Sequence, residues 1–141
     1  MCWVLYLACD QPLPLQPFDR EAPAFNVAEL TPREEPVRGQ FSKSYVYRVG
    51  AHTLCGCGFD RGQANPAHPE ELETTEASLR SLHAYLSDAL EACRNLELYA
   101  CWDGDQGAVP DHRWNRRLSD FGSRMSWFPD RTFIEVSAGT G

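Results

Sequence analysis

No stretch of this sequence approaches the roughly 18 consecutive apolar residues of a membrane-spanning helix, the longest apolar run being Cys2 to Cys9. A soluble chain is expected. That run has no basic segment ahead of it and is only about as long as a strand, so a cleaved export signal is not expected and a cytoplasmic location is. Lysine is almost missing, with Lys43 alone beside 12 arginines, and the 13 basic residues face 20 acidic ones for a net charge of -7. That sign disfavours nucleic-acid backbone and anionic lipid as partners, which leaves a protein or a small molecule and no membrane. The sequence has no glycine-rich phosphate loop, no GxSxG elbow, no HExxH and no paired CxxC knuckles, so the best-marked nucleotide, hydrolase, metalloprotease and zinc-finger signatures are absent.

What is present is ordinary globular composition, 43% hydrophobic and 23% charged over 141 residues, which rules out a mostly disordered or low-complexity chain. The length suits one domain, expected over 1–136 with the Pro-rich segment 10–40 included and 137–141 as a frayed tail. Six cysteines in a chain with this apolar content are not needed as staples, so reduced thiols are expected.

Apolar residues fill both alternating sets from Cys2 to Cys9, the pattern of a central strand covered on both faces. Six of the ten prolines follow within 10–40, predicting extended cover that makes few ladder bonds. Within it, 25–30 alternates like a short strand, and Thr31, Pro32 and Glu34 form a capping box that should open one or two helical turns, with Glu34 and Glu35 in a solvated turn. The alternation over 41–49 predicts a strand, and 54–59 should return as its partner, with Gly56 and Gly58 marking a bulge or a close backbone approach.

Leu72, Leu79, Leu82, Leu86, Ala89, Leu90 and Cys93 recur at helical spacing and predict a helix over about 70–94, closed by Asn95 as a left-handed cap. Acidic residues crowd its first turns, where the helix dipole favours them. A strand over 96–102 should run parallel to 54–59, since a strand, a long helix and a strand make a crossover. After a loop at 103–111, the sequence predicts a short helix over 112–121 with Trp114, Leu118 and Phe121 inward and Arg113, Arg116 and Arg117 outward, then a last strand over 132–136. Together these elements predict an α+β fold: a mixed sheet of five or six strands, the long helix on one face, and the Pro-rich segment plus the short helix on the other.

The residues that best suit chemistry are His52, Cys55 and Cys57. Thiols two apart on a strand face the same way, and a histidine on the preceding turn could reach them, which makes three ligands of a tetrahedral zinc site. Cys9 or Cys101 would supply the fourth. The leading expectation is a small binding or interaction module without catalytic turnover, in which this cluster holds zinc. In the alternative, a thiol-dependent redox or transfer enzyme, Cys55 or Cys57 is the nucleophile and His52 the base. A third possibility is that the cysteines simply pack as small hydrophobes. Asp103 and Asp105 follow the C-terminal end of a strand, the rim on which α/β domains build sites. An interaction surface would be marked by exposed aromatics among Tyr45, Tyr47, Trp102 and Trp127.

Overall fold

The computed structural model describes residues 2–121 and 129–138. β1 (Trp3–Cys9) is buried along its whole length and lies inside a six-stranded sheet of order β2-β3-β1-β4-β6-β5. Its partners are β2 (Asn26–Glu29), β3 (Tyr45–Gly50), β4 (Asn95–Trp102), β5 (His112–Arg117) and β6 (Thr132–Ser137). Every pairing is antiparallel except β5 with β6, so the sheet is mixed. The long helix, α1 (Pro69–Ala92), completes the expected α+β class.

The two alternating sets of β1 seed two cores. Trp3, Leu5, Leu7 and Cys9 pack with Leu79, Leu82, Leu86 and Leu90 of α1 and with Leu96, Leu98, Ile134 and Val136 of the sheet. Val4, Tyr6 and Ala8 face the other way, onto Val37, Val46, Tyr99, Cys101 and Phe133. Val37 belongs to a 3-10 segment, Pro32–Gln40, that begins at the capping box of Thr31 and Glu34. The Pro-rich cover is therefore divided. Leu13 and Phe25 join the α1 side, where the Tyr85 hydroxyl also donates to the Pro14 carbonyl at 2.7 Å, while Leu30 and Val37 cover the opposite face. The short helix α2 (Leu118–Phe121) sends Leu118 to the α1 side as well.

Five local expectations are corrected. Residues 54–59 form no strand: Leu54 takes a left-handed φ of 72°, and Gly56–Phe59 coil into one 3-10 turn. The strand parallel to β4 is β3, since both are antiparallel to β1, which lies between them. Residues 112–117 are a strand, although Trp114 and Leu118 are also four apart as on a helix; pairing with β6 makes them an edge, and its charged, exposed side chains suit an edge. Asn95 is not a cap, because α1 ends at Cys93 in extended backbone, with its N–H on the Ala89 carbonyl, and Asn95 already starts β4. Leu72 lies outside the core at 44% exposure, since α1 buries side chains only from Thr75 onward.

Glu34 was expected in water and is buried instead. Among the aromatics considered for a surface, Tyr47 is buried, Tyr45 is exposed, Trp102 is half-buried, and Trp127 lies outside the described residues. The end of the tail, 139–141, lies outside them too. Among the described residues, no helix is long and apolar enough to cross a membrane.

Candidate metal centre

The tight turn after β3 is held by the Ala51 N–H on the Cys55 carbonyl at 2.9 Å and the Leu54 N–H on the Ala51 carbonyl at 3.0 Å. Glycine is needed at its two close approaches. A Cβ on Gly56 would stand 2.5 Å from the Trp3 ring, and one on Gly58 would stand 2.7 Å from the His52 ring. Gly56, between the thiols, thus lets the turn lie flat against the start of β1. Leu54 keeps its left-handed backbone at a steric cost of about 1–2 kcal/mol, a strain that collects at functional sites.

This packing brings together Cys2, Cys55 and Cys57, whose sulfurs all lie within 4.8 Å of one another. Cys2 is the member that sequence reasoning missed. Its signal was the strand register: Leu5 pairs with Val49, and continuing the antiparallel pairing three residues further sets residue 5 - 3 = 2 level with residue 49 + 3 = 52, on the turn. The other expected partners are elsewhere. The His52 Nδ1 lies 2.9 Å from the Ser78 hydroxyl of α1, and that hydroxyl also accepts the His52 N–H at 3.1 Å. His52 is not among the grouped ligand atoms. Cys9 is disulfide-bonded to Cys93, with Cα atoms 6.9 Å apart, so it offers no thiolate and the expectation of six reduced cysteines does not hold. Cys101 is buried in the core on the face away from α1, where burial raises its thiol to about 12.

The three sulfurs differ in charge preference. Burial raises Cys55, but the Cys57 N–H, the Thr53 hydroxyl and the thiols of Cys57 and Cys2 outweigh it and bring the group below the ordinary cysteine value. Cys57 is pushed up to about 11 by burial, although the Trp3 N–H donates to its sulfur at 3.3 Å. Cys2, exposed, is raised by its hydrogen bond to Cys55 and by that group's charge. Cys55 is therefore the first of the three to give up its proton, and a soft cation would displace the protons of the others.

Cys2 and Cys55 open onto a cavity of about 280 Å³, with Arg33, Glu34, Arg48 and Asp103 on its walls. Asp103 lies on this wall: its N–H donates to the Cys2 carbonyl at 2.7 Å, and its carboxylate takes Arg33 at 2.5 Å. That arginine, together with Gln106, holds the Asp103 carboxyl below its usual range. Asp105 does not line the cavity. Compared with models of known families, with curated proteins and with solved structures, the chain matches none.

His52 gives a pH prediction independent of the thiols. Burial lowers its folded-state value below the ordinary 6.5, so the unfolded chain takes up this proton first as the medium is acidified. Its destabilising effect begins as pH falls through the unfolded value and levels off below the folded one. Melting at pH 7.5 and 5.5 should therefore show a smaller acid loss in His52→Gln than in the wild type, and equal losses would contradict the assignment.

Proposed function

We propose that this protein is a small binding module that holds a thiophilic cation, zinc first among them, on Cys2, Cys55 and Cys57. The observation that carries the reading is the grouping of three sulfurs within 4.8 Å of one another, two of them on a turn shaped by close glycine contacts. A zinc about 2.3 Å from each sulfur would bring them to about 3.8 Å apart, a modest contraction. The N–H groups of Trp3 and Cys57 supply the outer hydrogen bonds that thiolate ligands require. Because the protein would contribute three ligands, a fourth position is left toward the cavity, the arrangement of an exchangeable site. A reducing cytoplasm would keep these open thiols available, with the buried Cys9–Cys93 bond enclosed beneath α1.

Native mass of protein purified without chelator or reductant, compared with the same sample denatured and reduced, tests this directly. One added zinc is expected, and zinc at about 100 times its dissociation constant should stabilise the fold by about 2.7 kcal/mol. Cys55→Ala should lose both effects. A bare native mass with no zinc-dependent rise in melting temperature would overturn the reading.

A second reading, thiol-dependent redox or transfer chemistry with Cys55 as nucleophile, is favoured by the lowered Cys55 thiol beside two others. It predicts a mass deficit of two hydrogens beyond the Cys9–Cys93 bond. It also predicts that Cys55 alkylates ahead of Cys2, Cys57 and Cys101 in chelator-treated, mildly reduced protein at pH 7.5. His52, whose Nδ1 meets the Ser78 hydroxyl, is not grouped with these sulfurs.

A further inference from the structure

Four charged side chains line the cavity beside the thiols, and three of them are engaged. Arg33 and Asp103 hold each other at 2.5 Å, and Asp103 also accepts from the Gln106 amide at 2.8 Å. Glu34 accepts from the Tyr6 hydroxyl at 2.6 Å and from the Thr31 N–H and hydroxyl at 3.0 Å each. Arg48 is different. Its nearest carboxylate contact is Nη1 to Glu34 at 4.0 Å, beyond hydrogen-bonding distance, and its Nε is buried with no partner. A half-buried guanidinium with a free fork of donors is a ready clamp for a planar anion.

We infer that the cavity binds a small molecule carrying a carboxylate at one end and a thiol at the other, the carboxylate on Arg48 and the thiol at the fourth position of the Cys2, Cys55 and Cys57 centre. The inference rests on the metal-binding reading. The cavity's volume, about 280 Å³, lies just below the range of pockets for drug-sized ligands and suits a small molecule. A single negative charge matches the one open guanidinium, whereas a doubly charged phosphate would also face Glu34, Asp103 and the thiolates. A soft cation held by sulfur prefers a further sulfur to a hard oxygen. Thr53 and Leu54, on the wall between the strained turn and the cavity, give the ligand one polar and one apolar contact.

The test uses the full chain loaded with cobalt(II), whose thiolate charge-transfer band reports each sulfur bound. 3-Mercaptopropionate should raise that band and bind at least about tenfold more tightly than 2-mercaptoethanol, the size of effect expected from a charge-assisted bidentate pair. Arg48→Gln should erase the difference without changing cobalt affinity. Arg48→Lys, which keeps the charge and loses the fork, should fall between. Equal binding of the two thiols by the wild type, or a preference that survives in Arg48→Gln, overturns the inference and leaves the metal site standing. If Arg48→Gln does not fold, the wild type's preference and Arg48→Lys still decide. No charge-transfer band from the wild type with cobalt alone overturns the metal reading, and this inference with it.

Discussion

Replacing Cys9 and Cys93 together by alanine is expected to lower folding stability by about 3–4 kcal/mol. The bond closes a loop with a sequence separation of 84, for which chain entropy alone gives about 4.5 kcal/mol. Residual compactness of the reduced unfolded chain brings the figure down. Both residues are buried, Cys9 at the end of the central strand and Cys93 just past the end of α1, so the bond ties the helix terminus to the sheet. Denaturant unfolding with and without reductant measures the effect: the reduced wild type should unfold at a clearly lower midpoint, close to that of the double alanine variant. A midpoint indifferent to reductant would show that the bond contributes nothing. Because Cys2 and Cys9 are separated by the length of β1, about 23 Å at strand rise, the double variant should bind zinc like the wild type whenever it is folded. Loss of zinc binding in folded double variant would instead mean that the two cysteine sites are coupled.

The contrast between these sites shows where sequence reading succeeds. Local pattern was enough for β1, β4, β6 and α1, because each buries a set of side chains whose spacing is visible in one dimension. The capping box at Thr31 was legible for the same reason. Failures came where long-range partners decide. Residues 112–117 satisfy both a helical and a strand spacing, and only the neighbouring β6 selects the strand. Gly56 and Gly58 were readable as a close backbone approach, yet what they approach, the rings of Trp3 and His52, depends on the fold. Of the expected thiol cluster, Cys55 and Cys57 stayed together. Cys2 replaced His52 because antiparallel pairing of β1 with β3 carries the residue ahead of one strand to the turn beyond the other. The pairing of Cys9 with Cys93 was hidden likewise, since it follows from how α1 lies across the sheet.

Glu34, expected in a solvated turn, is buried instead, and Glu34→Ala should cost about 3 kcal/mol. The side chain is 5% exposed and joins three separate elements. It receives the Tyr6 hydroxyl from β1 at 2.6 Å, closes the capping box with Thr31 at 3.0 Å, and faces Arg48 of β3 at 4.0 Å. A hydrogen bond to a charged group contributes about 1.5–3 kcal/mol and a helix cap about 1 kcal/mol, while alanine also leaves the buried Tyr6 hydroxyl without its acceptor. Gln106 cannot compensate, since its amide already donates to that hydroxyl at 3.1 Å. Glu34→Gln keeps the shape and part of the bonding, so it should lose less. A double-mutant cycle with Tyr6→Phe should return a coupling of more than about 0.5 kcal/mol, as expected of groups in one network. Glu34→Ala melting with the wild type would show that the network contributes no net stability. The same carboxylate is also the nearest competitor for Arg48, so Glu34→Gln should bind a thiol-bearing carboxylate more tightly than the wild type while folding less stably. Stability and ligand affinity would then move in opposite directions through one residue, which a purely structural role for Arg48 does not produce.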